Sequence, residues 1–554
     1  MKVNRENFVV ALCREACPVG IDVPRYIRCI KEGKFNEALA VIREKLPLPV
    51  VCADACFADC EDMCAYRQFG DPIAIRALKR TAVDKGGDYW KKSKKLAIKT
   101  GKRVAIVGAG PTGLTAAYYL ISLGHIVVIY DFLPKLGGTL RYGVPKYRLP
   151  EERLDKDINE ILELGVEFMP NTMIGQDISL DELQKDYDAI FLASGTNRSV
   201  RIDVEGLNKS GVLWGYEFLR DFALGKKSTL QGDVIIIGGG NVAIDVALTA
   251  RRSGANKVSV VCLEKEDEMP AHEWEVARAR EEGVIIHNGW GLRKVKGDDT
   301  VEGVEFIRCT AVFDKAGNFH PSYDKKINKM IGACYVVLAI GQTADLSFLQ
   351  GQDHIEVVQG TVKVDDVTLA TGEPGVFAGG DVVGGHASII EAIAQGRRAA
   401  VSIDKYLGGE GIIDEVLVTP EEEIELPEFS NEVKHRVQMP LLAPKSRLSG
   451  FEQIERGFNE KQAIKETTRC LVCDARRFAV VVYPENCKGC GYCLEVCTLG
   501  IFSQANFFNK KGYRPVEAKD SRKCVGCLQC FFACPDYAID VEEVTGLERG
   551  GNQL

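Results

Sequence analysis

Apolar residues recur at helical spacing in the first 90 residues of the chain. In "DVPRYIRCIKEGKFNEALAVIREKL", residues 22–46, Ile, Leu and Val fall three and four positions apart, which predicts short amphipathic helices. From about residue 100 to 408 the pattern changes to short apolar runs followed by glycine-rich turns and amphipathic stretches. That alternation predicts strands and helices in turn, an α/β fold with parallel sheets.

None of the apolar runs is long enough to cross a membrane. The longest, such as "VIII" before Gly238 and "YVVLAI" before Gly341, have the length of a strand, whereas a membrane helix needs about 20 apolar residues. The first ten residues, "MKVNRENFVV", lack the apolar core of a signal peptide. With 70 Lys and Arg against 78 Asp and Glu, the formal charge of -8 predicts no general attraction to nucleic acid or anionic membranes. We therefore expect a cytoplasmic protein with no nucleic-acid partner and no membrane insertion.

The first glycine-rich turn has the pattern of a dinucleotide-binding site. In "KRVAIVGAGPTGLTAAYYLISLG" a buried strand leads through Gly108, Gly110 and Gly113 into an amphipathic helix. Glycine lets the backbone turn tightly against a pyrophosphate, whose charge meets the N-terminus of the helix. A second strand, "HIVVIYD", ends at Asp131, 23 residues after Gly108, where an acid can bond ribose hydroxyls. A surface glycine-rich turn is the alternative, and the complete strand–turn–helix–strand context disfavours it.

A second turn repeats the pattern. "GDVIIIGGGNVAIDVALTARRSG" places Gly238, Gly240 and Ala243 at the fingerprint positions, and the strand "KVSVVCLEKEDEMPA" ends near Glu264. A carboxylate there would accept hydrogen bonds from the 2'-hydroxyl of NAD and repel the 2'-phosphate of NADP. NADH is therefore favoured over NADPH. The alternative is that Glu264 points to solvent beside Lys265.

Further motifs give a family resemblance. "GVFAGGDVVGGHASIIEAIAQGRRAA" places Gly380 and Asp381 between a strand and a helix, and with the two turns it resembles two-dinucleotide-binding flavoproteins. "KLGGTLRYGVPKYRLP", residues 135–150, resembles the glutamate synthase small subunit group. That group includes the flavin half of dihydropyrimidine dehydrogenase and the large subunit of NADH-dependent ferredoxin:NADP oxidoreductase. Together with "IRALKR" at 75–80, "EMPA" at 268–271 and "AIGQ" at 339–342, the resemblance spans roughly residues 13–475.

The resemblance implies a resident FAD and a nicotinamide dinucleotide that comes and goes. It places FAD against twelve positions: Gly108, Gly110, Pro111, Thr112, Gly113, Asp131, Gly138, Leu140, Arg148, Thr196, Gly380 and Asp381. It places NAD against seven: Gly238, Gly240, Asn241, Val242, Ala243, Glu264 and Gly341. The group usually has arginines where this chain has Leu263 and Glu264, so the chain departs from the group's usual NADPH preference.

Twenty cysteines are concentrated at the two ends of the chain: seven lie in residues 1–64 and ten in residues 470–534. Without a secretory signal, such clusters indicate metal or iron–sulfur ligands rather than disulfides. "CKGCGYCLEVC" and "CVGCLQCFFACP" have the spacing of a two-cluster bacterial ferredoxin, in which three cysteines of one run join the fourth of the other. This predicts two 4Fe-4S clusters rather than zinc: one on Cys487, Cys490, Cys493 and Cys534, the other on Cys524, Cys527, Cys530 and Cys497. Thr498 stands where the first run usually has proline.

The N-terminal cysteines are less regular. "CREACP" supplies Cys13 and Cys17, and four more follow at four-residue intervals, a spacing that in one helix would be a core-facing stripe: Cys52, Cys56, Cys60 and Cys64. Relatives in the resembled group carry a CxxC pair shortly before the equivalent of Cys13, and "KETTRCLVC", residues 465–473, resembles that pair. The resemblance therefore predicts one cluster on Cys470, Cys473, Cys13 and Cys64. It predicts a second on Cys17 and Cys60 with Cys52 and Cys56, where relatives sometimes place an amide or carboxylate.

Other interpretations of three cysteines stay open. Cys470 and Cys473 would otherwise be a pair of buried thiols or ligands for a partner's metal. Cys29, on the apolar stripe of its helix, is expected to be a core residue.

The motifs predict an α/β fold of two nested Rossmann-like domains, for FAD and NAD, flanked by an N-terminal helical iron–sulfur domain and a C-terminal α+β ferredoxin-like domain. The predicted segments are the helical domain 1–95, the FAD domain 100–225 and 335–408, the NAD(H) domain 226–334, a connector 409–476, and the ferredoxin-like domain with a polar tail 477–554.

The predicted function is electron transfer. NADH delivers an electron pair, each 4Fe-4S cluster accepts one electron, and FAD converts between them. We expect the other partner to be ferredoxin or a partner oxidoreductase subunit in a hetero-oligomer. The alternatives are a glutamate synthase small subunit, a flavin-bifurcating subunit, or an iron–sulfur scaffold with a vestigial flavin site. A disulfide reductase would need a redox CxxC, which residues 100–408 lack.

Overall fold

Short helices build the N-terminal region, as the apolar spacing predicts. In this computed structural model, which describes residues 2–4, 8–226, 229–384, 388–426 and 434–544, they are Leu12–Glu15, Val23–Lys31, Phe35–Arg43, Pro49–Ala55, Asp59–Asp62 and Ile75–Lys85. Asp22 caps the second of them by accepting the N–H of Arg25 at 3.3 Å. Tyr26, Ile30 and Leu78 are fully buried in the core that these helices share.

The four-residue cysteine run does not form one helix. Helix Pro49–Ala55 ends before Cys56, whose backbone is extended at φ -68° and ψ 139°. Ala58 then adopts a left-handed conformation, φ 68°, before helix Asp59–Asp62 begins. Because the chain turns between the cysteines, their thiols do not form a stripe on one helical face.

The first parallel sheet carries the first glycine turn. Its strand order is Val376–Ala378, Ala189–Leu192, Arg103–Val107, Ile126–Tyr130 and Glu167–Met169. Val104 and Ile106 share one core with helices Pro111–Ser122 and Ile389–Tyr406, whereas Ala105 and Val107 belong to the core of the opposite face. This alternation follows the twofold period of a strand with both faces covered. The other helices between residues 100 and 225 are Thr139–Tyr142, Glu151–Leu162, Leu180–Asp186 and Gly215–Ala223.

The second parallel sheet carries the second glycine turn. Its order is Ile285–Asn288, Val258–Cys262, Val234–Ile237, Tyr335–Leu338 and Val212–Trp214. Two strands of this sheet lie outside the predicted 226–334 segment. Tyr335–Leu338 pairs with the central strand Val234–Ile237, and Val212–Trp214 pairs with Tyr335–Leu338. The remaining elements of this unit are helices Asn241–Arg252 and Glu273–Glu281 and an antiparallel sheet of Trp290–Lys296, Gly303–Phe313 and Phe319–Gly332.

The predicted connector runs back over the N-terminal helices. Strand Glu423–Glu425 pairs antiparallel with Lys2–Asn4, and helix Glu460–Thr467 packs against the helices Val23–Lys31 and Ile75–Lys85. Fully buried Glu466 accepts the N–H groups of Ala74 at 2.9 Å and Val437 at 2.8 Å. These contacts fix the chain just before Cys470.

The C-terminal unit is a small α+β fold. Its antiparallel pairs are Phe478–Val482 with Ile539–Glu543 and Phe502–Gln504 with Val516–Ala518, and its helices are Tyr492–Val496 and Gln529–Ala533. The polar tail predicted after residue 546 lies outside the described residues. Within the ranges given above, no helix is both long and apolar enough to cross a bilayer. Minor elements include the strand pairs Arg198–Ser199 with Gln342–Thr343 and Val357–Val358 with Thr361–Val362, and helix Pro444–Arg447.

Candidate functional site

A cavity lies at the carboxyl edge of the first sheet, beside the first glycine turn. It is lined by most of the residues predicted to bind FAD: Gly108, Gly110, Pro111, Thr112, Asp131, Gly138, Leu140, Thr196, Gly380 and Asp381. This edge of an open parallel sheet is where ligands usually bind, because the loops that follow the strands converge there.

Three backbone segments come close together around this cavity. Gly108 has φ 113°, and a Cβ added to it would lie 2.3 Å from the carbonyl oxygen of Ala193. A Cβ on Gly138 would lie 2.7 Å from the Cα of Gly110, and one on Gly380 would lie 2.5 Å from Thr112 Oγ1. Only glycine permits this approach, which leaves the N-terminus of helix Pro111–Ser122 open to a phosphate.

Polar groups in the cavity fit a dinucleotide. Asp131 accepts the N–H groups of Ala109 and Leu133, both at 2.8 Å, although burial raises its pKa. The buried Oγ of Ser194 has no hydrogen-bond partner among the described residues, and Ser194 lines the cavity. Because buried polar atoms in folded proteins are nearly always paired, this hydroxyl fits a site that is completed by a bound group.

Two residues predicted to contact FAD lie elsewhere. A Cβ on Gly113 would lie 2.1 Å from the carbonyl oxygen of Gly108, so this glycine packs the helix against the strand. Arg148 donates to Asp245 at 2.8 Å and pairs with Glu275 at 3.0 Å, so it connects the first unit to the helices of the second. The sequence reasoning missed three residues that line the cavity from a helix, a strand and a helix N-cap far away in sequence: Tyr216, Gln342 and Ser388.

The second glycine turn has the same local geometry. Gly238 has φ 139°, and a Cβ on it would lie 2.2 Å from the carbonyl oxygen of Ala339. Gly240 caps helix Asn241–Arg252, and Ala243 is fully buried beneath it. Val242 is partly exposed and also lines the flavin cavity, so the two candidate sites adjoin at this residue.

Glu264 faces the second turn, and Arg308 packs against Gly289, whose N–H donates to the carbonyl oxygen of Glu264 at 2.9 Å. A Cβ on Gly239 would lie 2.6 Å from Oε2 of Glu264, so this carboxylate faces the turn, whereas Lys265 pairs with Glu268 at 3.0 Å. Arg308, which the sequence reasoning missed, lies with its guanidinium carbon 3.0 Å from the Cβ position of Gly289. Arg308 is on the inserted antiparallel sheet, so no local motif places it there.

Four cysteines from three separate segments line one buried cavity: Cys13, Cys64, Cys470 and Cys473. Burial raises the pKa of Cys13 well above its usual value, and the thiols of Cys473, Cys64 and Cys470 raise it further. The turn holding the last two is anchored where Arg28 pairs with Asp474 at 2.7 Å. The structure therefore brings together the set that the resemblance predicts.

A second group of thiols lies nearby, around buried Lys79: Cys17, Cys52, Cys56 and Cys60. A hydrogen bond with Cys52 lowers the pKa of Cys56 to about 6. Burial raises this pKa, and the charge of Lys79 lowers it. Cys29, half-buried beside Arg25 and Glu421, belongs to neither group.

The C-terminal cysteines fall into two groups, and Cys497 of the first run lies with the second. Burial raises the pKa of Cys530 to about 12, and Cys524, Cys527 and Cys497 add to it. Cys493 is similarly affected by Cys487 and Cys490, and Cys534 packs into the core that the cysteines of both runs share. The position of Cys497 beside the second run is the one expected in the crossed arrangement of a two-cluster ferredoxin.

The donor chemistry fits 4Fe-4S clusters better than zinc. A tetrahedral zinc site with Zn–S bonds of about 2.3 Å holds its sulfurs roughly 3.8 Å apart. In the described part of the chain, no three His, Cys, Asp or Glu groups converge as they do around a single ion. A cubane takes one thiolate on each iron, so its four sulfurs stand farther apart.

Comparison with known protein families assigns three regions. Residues 102–396 match the family described as pyridine nucleotide-disulphide oxidoreductase. Residues 8–89 match dihydropyrimidine dehydrogenase domain II, 4Fe-4S cluster, and residues 486–539 match the 4Fe-4S dicluster domain.

Several characterised proteins are similar over most of the chain. The NADP(+)-dependent formate dehydrogenase subunit beta of Moorella thermoacetica is 39% identical over 84% of this chain and 71% of its own length. The glutamate synthase [NADPH] small chain of Escherichia coli K12 is 32% identical over 71% of this chain and 88% of its own. The NAD-dependent dihydropyrimidine dehydrogenase subunit PreT of Escherichia coli O157:H7 is 33% identical over 72% of this chain and 92% of its own.

Proposed function

The chain belongs to the family of FAD- and NAD(P)-dependent oxidoreductases that includes the glutamate synthase small chain, and we propose that it carries electrons between NADH and an iron–sulfur partner. FAD, when bound, takes up a hydride and releases electrons one at a time. The four cysteine groups, two from the N-terminal region and two in the C-terminal unit, would hold the 4Fe-4S clusters that receive these electrons. The relatives are named as subunits, which supports a hetero-oligomer whose other partner is a second oxidoreductase subunit or ferredoxin.

In this proposal the first cavity binds FAD. The N-terminus of helix Pro111–Ser122 binds the pyrophosphate, Asp131 orients the ribose end through its backbone contacts, and Ser194 donates to or accepts from the bound cofactor. Val242 follows the second glycine turn and also lines the first cavity, so a nicotinamide bound at that turn would approach the flavin site near this residue. No side chain has to move a proton in this scheme, because the hydride passes between the cofactors.

One contact carries the proposal that the C-terminal clusters belong to the route. Gln68, four residues after Cys64, is buried; its carbonyl oxygen accepts from Gln529 Nε2 at 2.6 Å, and its side chain donates to Thr498 Oγ1. Gln529 lies between Cys527 and Cys530, and Thr498 follows Cys497. Gln68 therefore connects the N-terminal cysteines directly to one C-terminal group.

We propose NAD(H) as the dinucleotide because Glu264 faces the second turn, where a 2'-phosphate would be repelled. The formate dehydrogenase relative is named for NADP(+) and the dihydropyrimidine dehydrogenase relative for NAD, so both occur among similar chains. A cytoplasmic location stays a prediction from the sequence. The scaffold alternative is disfavoured by the glycine cradle, which a vestigial site would have no need to keep.

The test is the visible spectrum of anaerobically purified protein before and after NADH is added. We expect flavin bleaching together with loss of the broad cluster absorption. An iron-only spectrum that is indifferent to NADH would support the scaffold instead. A parallel titration with NADPH tests the nucleotide preference, which is wrong if NADPH reduces the flavin as fast as NADH does.

A further inference from the structure

A buried lysine faces the second N-terminal cysteine group. Lys79 lies on helix Ile75–Lys85 and is only 3% exposed. This helix packs against Pro49–Ala55 and Asp59–Asp62, the helices that carry Cys52 and Cys60. The groups that surround Lys79 and act on its charge are thiols: Cys56, Cys52, Cys60 and Cys17.

The two arginines on this helix have carboxylate partners. Arg76 pairs with Glu455 at 2.8 Å, and Arg80 lies 3.3 Å from Asp84. Among the described residues, no carboxylate lies within ion-pair distance of Lys79, although it is buried. Because an unpaired buried charge is strongly unfavourable, its counter-charge has to come from the thiolates around it.

Among the residues that the structure describes, no unpaired cation lies beside the first N-terminal group. The arginines next to it are already neutralised: Arg28 pairs with Asp474 at 2.7 Å, and Arg469 pairs with Glu466 at 2.5 Å. Each N-terminal group therefore offers four thiolates, but only the second has an uncompensated positive charge beside it.

That difference acts on reduction potential. A 4Fe-4S cluster with four thiolates is anionic and gains one further negative charge when it is reduced. A nearby fixed cation stabilises the reduced form more than the oxidised form, and local charge is one of the terms that set cluster potentials.

We propose that Lys79 raises the reduction potential of the cluster held by Cys17, Cys52, Cys56 and Cys60, which makes it the preferred electron acceptor of the two N-terminal clusters. The inference rests on the proposed function for the existence of that cluster. Lys79 is not a ligand of the cluster, and it acts only through the positive charge that it places beside the thiolates.

The test compares Lys79→Met, Lys79→Gln and Lys79→Arg with the unmodified chain. Lys85→Met, at an exposed lysine on the same helix, is the matched control. Iron and FAD are counted in each protein, and each cluster's midpoint is followed by EPR during an anaerobic redox titration. Both neutral variants should shift one midpoint potential to a more negative value by at least 59 mV. That shift corresponds to a tenfold change in the equilibrium constant of a one-electron reduction. Lys79→Arg and Lys85→Met should leave that midpoint near its original value.

Unshifted midpoints in neutral variants that retain their iron would overturn the proposal. If both neutral variants lose about four irons while Lys79→Arg keeps them, the charge is needed for assembly rather than for the potential, which would also overturn the proposal. Equal loss in all three would overturn it, because shape rather than charge would then be responsible. The proposed function is judged separately, by the iron content and NADH response of the unmodified protein.

Discussion

Replacing Cys470 and Cys473 together by serine tests the site where the two ends of the chain meet. Four cysteine groups predict four 4Fe-4S clusters, or about sixteen irons per chain. The double substitution removes two of the four thiols that line one buried cavity. That group should lose its whole cluster, so we expect about twelve irons to remain.

The loss should be confined to that group. Serine keeps nearly the volume of cysteine, so the change leaves little empty space in the core. The flavin cavity is lined by other residues, and Glu466 still anchors the preceding helix through Ala74 and Val437. FAD content should therefore be unchanged, and the signals of the other three clusters should remain.

The assay is iron and FAD determination on anaerobically purified protein, followed by EPR of the dithionite-reduced sample. Cys29→Ser is the control, because Cys29 is half-buried but belongs to no cysteine group. Retention of all iron by the double variant would refute the assignment and favour a pair of buried thiols. An equal loss in the Cys29→Ser control would mean that iron content reports general damage.

Three further predictions follow from other parts of the molecule. Glu264→Arg should raise the NADPH-to-NADH ratio of kcat/KM at least about tenfold, since about 1.4 kcal/mol of charge repulsion is removed; an unchanged ratio would mean that Glu264 does not face the ribose. Gln68→Ala should leave NADH reduction of the flavin unaffected but slow the appearance of reduced C-terminal clusters in freeze-quench EPR, and equal rates would contradict the proposed route. Burial raises the pKa of Asp157 to about 8, so its contribution to stability is complete at pH 4 and is lost as pH rises towards 8, by at most about 1.4 kcal/mol per pH unit. Asp157→Asn should flatten the fall of the melting temperature over that range, and an unchanged slope would assign the pH dependence to other groups.

The parts of the fold that follow local patterns were predictable from the sequence. Strand Arg103–Val107, the turn after it and helix Pro111–Ser122 are set by apolar alternation and glycine spacing within two dozen residues. The same holds for Val234–Ile237 and helix Asn241–Arg252. Because these patterns are local, the sequence predicted the α/β class and both parallel sheets, and the structure confirms them.

Features that depend on distant segments were not predictable in the same way. Strand Val212–Trp214 joins the second sheet although it precedes the second glycine turn, because its partner is Tyr335–Leu338. Arg148 lies in a flavin-like motif, yet it pairs with Asp245 on a helix almost a hundred residues later. Lys79 is unremarkable in the sequence, since its meaning comes from the thiols that folding places around it.

The long sequence separation between Cys473 and Cys13 adds only a modest free-energy cost to forming a shared cluster. Loop-closure entropy grows only with the logarithm of loop length, so ligands that arrive 460 rather than about ten residues away cost roughly 3 kcal/mol more. The connector offsets this with buried contacts just before the cysteines: Arg469 pairs with Glu466, and both bind backbone groups of the N-terminal region. A charge-assisted hydrogen bond contributes about 1.5–3 kcal/mol, so two or three of these contacts suffice. The buried Glu466–Arg469 pair therefore explains how a pair of ligands can lie behind the flavoprotein core in sequence and still reach the N-terminal site.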